Sequence, residues 1–132
     1  MTGYLFDTNH VSAVFQSRLN LITHPKSTAD AEFGVGLPSV GELAYMVFNS
    51  ARVSANMTRL DVVLRDFILW DFDVAAALEF GRVKTELRGI GRPIPDVDAQ
   101  IAAIARVRNL VLLTDDAHFA AVQGLRVDNW LR

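Results

Sequence analysis

Tyr4-Leu5-Phe6-Asp7-Thr8-Asn9, near the start of the chain, joins an apolar run to an acid, a hydroxyl and an amide. The apolar run predicts a buried strand, and Asp-Thr-Asn marks its end and the start of a helix. Taken alone, Asp7 is explained equally well as a helix cap that accepts backbone N–H groups. It becomes a candidate metal ligand when acids at similar boundaries further along the chain are considered with it.

The composition is that of a compact globular chain, with 132 residues, 51% hydrophobic and 21% charged. The sequence has no cysteine, which excludes disulfides and zinc–thiolate sites. No apolar run reaches the roughly 18 residues that cross a bilayer, and the start lacks the pattern of a signal peptide. We therefore expect a cytoplasmic protein with no membrane partner. The formal net charge of -2 leaves only a local basic patch or metal ions to bind nucleic acid.

Strands and helices alternate along the chain. We expect strands at 3–6, 37–40, 70–74, 110–113 and 125–127. Helices are expected at 8–16, from 41 to about 48, from about 57 to 68, at 75–90, at 94–109 and from 114 to about 122, with a short helix or loop over 17–36. This alternation predicts a parallel sheet of about four to five strands, covered by helices on both faces. The carboxyl ends of its strands would share one edge, where ligands bind.

Several acids lie at these boundaries, and a purely structural role in helix capping can explain each of them. Asp96 and Asp115 are placed to cap helices, and Ser39 with Glu42 fits a capping box. A cap, however, accepts Ser, Thr, Asn or Asp equally well, so a strictly acidic set exceeds what capping needs. We also expect Asp98 to lie two residues inside its helix and Asp116 one residue inside, with both side chains projecting over the sheet edge.

A parallel sheet would bring Asp7, Glu42, Asp98 and Asp116 to one edge. Crowded carboxylates repel and raise one another's pKa unless a cation neutralises them. Mg²⁺ and Mn²⁺ prefer oxygen ligands and suit such a site. The chemistry that follows is activation of a water for in-line attack on a phosphodiester.

The motifs resemble those of the PIN-domain proteins and, within them, the VapC-type ribonuclease toxins of bacterial toxin–antitoxin pairs. The segments that carry the resemblance, in order, are Leu5-Phe6-Asp7-Thr8-Asn9, Ser39-Val40-Gly41-Glu42-Leu43, residues 92–103, Leu113-Thr114-Asp115-Asp116-Ala117-His118-Phe119 and residues 124–130. Each motif is weak alone, whereas all of them in order cover nearly the whole chain.

The resemblance implies a single PIN domain over residues 1–132, folded as a PIN-like three-layer α/β/α sandwich. It implies that Asp7, Glu42 and Asp98 bind Mg²⁺ or Mn²⁺ and are needed for catalysis, with Asp116 as the fourth acid. The supporting residues it implies are Thr8, Asn9, Asp96, Thr114 and Asp115, and either Asp115 or Asp116 would face the metal. It further implies an RNA substrate, a small VapB-like antitoxin and a homodimer.

Other residues admit two interpretations. Arg52 and Arg92 are candidates for contacts with substrate phosphates, although each also fits a solvated helix face. For His118 we expect a structural role, because a metal mechanism requires no general base. The apolar strip over residues 45–48 indicates either deep burial or a surface for a second copy or an antitoxin.

Two alternative functions remain open at this point. A phosphatase of the haloacid-dehalogenase type also begins with an apolar strand and an Asp nucleophile, but it needs a second Asp where this chain has Asn9. The other alternative is a non-catalytic PIN-like module that binds protein or RNA, which the full set of acids disfavours.

Overall fold

A computed structural model describes residues 2–16, 19–21 and 23–131, which contain one five-stranded sheet. The strands are β1 (Gly3–Phe6), β2 (Glu32–Gly36), β3 (Ile68–Trp70), β4 (Val111–Leu113) and β5 (Arg126–Asp128). They lie in the order β3-β2-β1-β4-β5, and every neighbouring pair is parallel. β1 is therefore the central strand, and its last residue, Phe6, pairs with Leu113 at the end of β4.

Helices connect these strands and cover both faces of the sheet. Within the described residues they are α1 (Thr8–Phe15), α2 (Leu37–Phe48), α3 (Val53–Asp66), α4 (Val74–Gly89), α5 (Asp96–Arg108) and a 3₁₀ helix (Ala117–Ala121). Residues of α4 and α5 pack against one face, and residues of α1, α2 and α3 pack against the other.

The hydrophobic core has two halves because successive residues of a strand point to opposite faces of the sheet. Leu5 and Leu112 pack with α4 and α5, whereas Phe6 and Leu113 pack with α1, α2 and α3. All four of these side chains are fully buried. The predicted three-layer α/β/α sandwich with a parallel sheet is thus confirmed.

The second strand lies earlier in the chain than predicted. Residues 37–40, expected to form it, are instead the first turn of α2. Pro38 is tolerated there because the first backbone N–H groups of a helix have no acceptor within the helix. β2 runs through Gly34 and Gly36, which we had assigned to the segment 17–36 as a short helix or loop. Residues 17, 18 and 22 of that segment lie outside the described residues.

Gly34 belongs in the strand because Trp70 of the neighbouring β3 lies against it. A Cβ atom at Gly34 would lie 2.6 Å from Trp70 Cζ3 and 2.5 Å from the Ile68 carbonyl oxygen. The glycine that looks like a loop signal in the sequence is therefore what lets β2 and β3 approach each other.

The third strand is also displaced, since β3 ends at Trp70 instead of beginning there. Helical spacing had assigned Ile68 to the preceding helix, but the backbone becomes extended at Phe67 and ends α3. Asp73 then caps α4 by accepting the Ala76 N–H at 3.0 Å, so residues 71–73 form a connection. β5 is shifted by one residue relative to the expected 125–127.

The apolar strip on α2 is a surface feature. Tyr45, Met46 and Phe48 are 71%, 53% and 63% exposed. The deep-burial interpretation of this strip is therefore wrong, and its use as a surface for a second copy or an antitoxin stays a prediction. Among the described residues, no helix has the length and apolar character to span a membrane.

Candidate functional site

The candidate site lies at the sheet edge where the strands reach their carboxyl ends. Asp7 directly follows β1, and Asp116 precedes the 3₁₀ helix that follows β4. Glu42 lies on α2 and Asp98 in the first turn of α5. Asp98 interacts electrostatically with both Asp7 and Glu42, and Asp7 does so with Asp116. The structure therefore brings the four predicted acids together.

Asp7 is held at both of its carboxylate oxygens and is only 7% exposed. Oδ1 accepts the Thr8 backbone N–H at 2.8 Å, which makes Asp7 the N-cap of α1. Oδ2 accepts the Thr114 hydroxyl at 2.8 Å. Capping and a place in the acidic group are thus compatible in this residue, because the cap uses one oxygen and Thr114 orients the other.

Glu42 is directed to the site by the residue that follows Asp7. The Thr8 hydroxyl donates to Glu42 Oε1 at 3.0 Å, which links the start of α1 to α2. The capping box expected between Ser39 and Glu42 is wrong, because α2 begins at Leu37 behind its N-cap, Gly36. Among the described residues, the buried Ser39 hydroxyl has no hydrogen-bond partner.

Asp98, Asp116 and His118 form a compact group in which one ligand atom of each lies within 4.8 Å of the others. His118 Nε2 lies 2.7 Å from Asp98 Oδ2, and Nδ1 lies 2.9 Å from Asp116 Oδ1. Sequence reasoning assigned His118 a structural role and missed this position. The available signal was the Asp-Ala-His spacing of residues 116–118. This spacing indicates a shared site only when Asp98 of α5 is known to lie beside it.

The adjacent acids Asp115 and Asp116 have different partners. Asp115 Oδ1 accepts the Asn9 side-chain amide at 3.2 Å. Asp116 Oδ1 accepts the His118 backbone N–H at 3.2 Å, and the Asp116 N–H donates to Thr114 Oγ1 at 3.0 Å. Asp116 is thus the cap of the 3₁₀ helix, which corrects our expectation that Asp115 caps this helix and that Asp116 lies one residue inside it.

The electrostatics of the site are those of partly buried carboxylates crowded together. Burial, first of all, raises the pKa of Asp7, and Asp116 and Asp115 raise it further, while hydrogen bonds from Thr114 and Thr8 lower it. Burial also raises the pKa of Asp98, with Asp7 the next cause and Glu42 a smaller one, against the opposing effect of His118. Both carboxylates would be more stable with a cation between them.

Comparison with known proteins places this arrangement in a family. Residues 4–125 match the PIN domain family. The chain belongs to the PIN-domain family. Ribonuclease VapC2 from Haemophilus influenzae is 31% identical over 133 residues, covering 99% of this chain and 100% of the relative. The tRNA(fMet)-specific endonuclease VapC from Shigella flexneri is 26% identical over 131 residues, or 98% and 99% of the two chains.

The fold of this PIN domain is also found in solved structures. The crystal structure of VapBC2 from Rickettsia felis, bound to a DNA fragment from their promoter, superposes with a TM-score of 0.86. The two chains are 25% identical, and the match covers 98% of this chain and 99% of the other. The likeness therefore extends over both core halves and the edge that carries the acids.

Three more of the predicted residues, Asp96, Arg52 and Arg92, are exposed in this PIN domain. The Asp96 side chain is 67% exposed and bonds Lys84 Nζ at 2.7 Å, so the structure does not bring it into the acidic group. Nor does its side chain cap α5, whose N-cap is Pro95. Arg52 lies at the start of α3 and Arg92 in the connection between α4 and α5, and both are exposed.

His10 follows the first motif of the PIN domain but is fully buried behind the site. Its Nε2 accepts the Trp130 backbone N–H at 3.1 Å. Burial lowers the pKa of His10 to about 4, so the ring is uncharged at neutral pH. His10 therefore links α1 to the segment after β5 and has a structural role.

The raised pKa of Asp98 predicts a pH-dependent stability difference between the wild type and Asp98→Asn. A carboxyl group whose folded-state pKa exceeds its unfolded value of about 3.9 binds its proton more tightly in the folded state. Its ionisation therefore destabilises the fold as the pH rises through the folded pKa, and asparagine lacks this penalty. With a chelator present, we expect Asp98→Asn to melt above the wild type at neutral pH and the difference to vanish as the pH falls toward about 4.

Thermal denaturation followed by circular dichroism over a pH series measures this difference. Asp96→Asn is the matched control, because it removes a charge in the same turn of α5 from an exposed position. A difference between wild type and Asp98→Asn that stays constant over the whole pH range would contradict the raised pKa.

Proposed function

We propose that this protein is a metal-dependent endoribonuclease that uses Mg²⁺ or Mn²⁺ and acts as the VapC-type toxin of a toxin–antitoxin pair. Relatives named as VapC ribonucleases align with it over nearly their whole length, which supports a nuclease and hence a hydrolase. The observation that carries the metal-dependent part is the pair Asp7 and Asp98, whose pKa values are raised by burial and by neighbouring carboxylates. Relief of that repulsion is what a divalent cation provides.

The donor set fits a hard divalent cation. Carboxylate oxygens predominate, and the residues that would hold the ion are Asp7, Glu42, Asp98 and Asp116. When bound, such an ion supplies a Lewis acid that activates water and balances the charge developing on the phosphodiester.

The chain's own contribution is to fix these carboxylates in place beforehand. Thr8 donates to Glu42 and Thr114 to Asp7, each through a short side-chain hydrogen bond. Groups held in this way need little reorganisation during the reaction, which is the main advantage of a preorganised polar site. Asn9 contributes indirectly, because its side-chain amide donates to Asp115 Oδ1 and so orients the side chain of the residue before Asp116.

The protein has a formal net charge of -2, so basic side chains near the acidic edge are needed for an RNA strand to approach it. We assign phosphate contacts to the exposed Arg52 and Arg92, which leave their positive charges available to solvent. A cleft of about 470 Å³ opens beside Asp115 and Asp116, with Lys26 on its wall. This cleft has room for a nucleotide adjacent to the acids.

The two alternative functions explain fewer of these contacts. In a phosphatase of the haloacid-dehalogenase type, the residue two positions after Asp7 would be an acid, whereas Asn9 donates its amide to Asp115. A non-catalytic binding module would have no use for carboxylates kept at raised pKa in a buried group. The nuclease therefore accounts for the site more completely.

The proposed partners follow from the relatives and from the surface of α2. The solved structure from Rickettsia felis is of VapBC2, and by that likeness we assign this chain a small VapB-like antitoxin. The resemblance of its sequence motifs to the family is the ground for a second copy of the chain as a further partner. The exposed Tyr45, Met46 and Phe48 provide apolar area for these contacts. Toxicity on expression that a small neighbouring gene relieves would support this assignment.

Removal of divalent ions tests the proposed activity directly. We expect the purified protein to cut RNA internally when Mg²⁺ or Mn²⁺ is present and to show no cleavage in excess EDTA. Activity should return when the chelator is titrated with either ion. Cleavage that persists at full rate in EDTA would contradict a metal-dependent mechanism.

A further inference from the structure

His118 stands out because its ring lies between two acids of the site. Its two nitrogens lie 2.7 Å from Asp98 Oδ2 and 2.9 Å from Asp116 Oδ1. The His118 backbone N–H already donates to Asp116 Oδ1 at 3.2 Å, so the cap of the 3₁₀ helix is formed without the ring. The imidazole is therefore not needed to complete the local backbone structure.

The inner ring nitrogen has the surroundings of a ligand atom. Nε2 is shielded from solvent, and its one close polar neighbour among the described residues is Asp98 Oδ2 at 2.7 Å, a contact that lowers the pKa of Asp98. A nitrogen and an oxygen at this separation can pair with each other, and they are also spaced like two neighbouring ligands of one ion. The whole ring is 32% exposed, so its outer part remains in contact with solvent.

The spacing of the group also matches a metal-binding site. An octahedral ion with ligands at about 2.1 Å holds neighbouring ligand atoms about 3 Å apart and opposite ones about 4.2 Å apart. Asp98, Asp116 and His118 each offer a ligand atom within 4.8 Å of the other two. Small side-chain movements would therefore bring the three to one ion.

We propose that His118 is a metal ligand of the nuclease site, alongside Asp98 and Asp116, and that it gives the site a preference for Mn²⁺ over Mg²⁺. The chemical basis is that Mg²⁺ selects oxygen donors, whereas transition-metal ions accept an imidazole nitrogen more readily. This inference rests on the proposed metal-dependent function and adds a nitrogen donor to its carboxylate set. It also places a histidine, and not only acids, among the groups that touch the cofactor.

Pulsed electron paramagnetic resonance of Mn²⁺ bound to the full chain tests this ligand directly. We expect echo modulation from a directly bonded ¹⁴N, which changes to the ¹⁵N pattern when the histidines carry ¹⁵N in their rings. Labelling alters no side chain, so this measurement does not depend on whether a variant folds. The nitrogen signal should disappear in His118→Ala and persist in the matched control His24→Ala, since the His24 ring stacks on Trp130.

Calorimetric titration provides the second measurement. We expect His118→Ala to weaken Mn²⁺ binding by about 10- to 100-fold, the range seen even for residues that only support a ligand. Mg²⁺ binding should weaken much less, so that the preference for Mn²⁺ is lost. A wild type that binds Mn²⁺ without nitrogen modulation, or a signal that survives His118→Ala, would overturn the role of His118 and leave the metal-dependent function intact. A wild type that binds neither ion would overturn both proposals.

Discussion

Asp98→Asn is expected to reduce RNA cleavage by about 1,000-fold, the upper end of the loss for removing one preorganised charge-stabilising group. Asparagine keeps the shape of the side chain but removes one negative charge from the group that would hold the cation. The substitution also removes repulsion with Asp7, one of the causes that raise the pKa of Asp98. The variant should therefore remain folded, and the loss should appear in the rate of cleavage measured at saturating Mg²⁺ or Mn²⁺.

Asp96→Asn provides a control two residues earlier on the same turn of α5. Asp96 is exposed and paired with Lys84, so its substitution should leave cleavage within about twofold of wild type, as expected for a surface ion pair of little energetic weight. If Asp98→Asn cut RNA as fast as Asp96→Asn, the assignment of Asp98 to the site would be wrong. If both variants lost activity to the same extent, Asp96 would be a supporting residue of the site, as the family resemblance implies.

Gly34→Ala is expected to lower the free energy of unfolding by about 3 kcal/mol, the upper end of the usual cost of overpacking. The new methyl group would lie 2.5 Å from the Ile68 carbonyl oxygen and 2.6 Å from the Trp70 ring. The carbonyl belongs to the backbone of β3, which pairs with Gly34 in register, so it can withdraw only by disturbing that pairing. Urea denaturation at neutral pH measures the change.

Gly81→Ala is the matched control for that substitution. Gly81 lies within α4, where a Cβ atom would meet nothing within 4 Å. Alanine should stabilise the protein there by about 0.5–1 kcal/mol, because glycine is the less favourable residue inside a helix. The same chemical change is thus expected to have opposite signs at the two positions. A Gly34→Ala variant as stable as Gly81→Ala would show that the β2–β3 contact is not tightly packed.

The sequence predicted those elements whose signal is local. The apolar runs of β1 and β4 and the long helices α4 and α5 were recognisable because burial on one or both faces leaves a periodic pattern within the segment itself. β2 was misplaced because its glycines have tertiary causes, the Trp70 ring at Gly34 and the Ile104 side chain at Gly36. No periodicity within residues 32–36 records these neighbours.

The same difference between local and tertiary signals applies to the residues of the site. Asp7, Asp98 and Asp116 could be predicted because each lies close to an element boundary and a parallel sheet gathers such boundaries at one edge. Glu42 was predicted from a strand end at residue 40, whereas it lies in the second turn of α2 and still reaches the site. The roles of Asp96 and Asp115 could not be separated from theirs, because the side-chain partners Lys84 and Asn9 lie elsewhere in the chain. His118 was undervalued for a similar reason, since its meaning depends on how the 3₁₀ helix meets α5.

The central position of β1 has a consequence for how the protein is made. β1 pairs with β2, which follows within the first third of the chain, and with β4, which lies much later. Domains generally fold as units, and Asp7 can meet Asp98 and Asp116 only once α5 and the segment after β4 have left the ribosome. A nascent chain that carries Asp7 therefore has no assembled acidic group until synthesis has passed residue 116. The late positions of Asp98 and Asp116 in the sequence thus delay assembly of the acidic group while the messenger that encodes it is being translated.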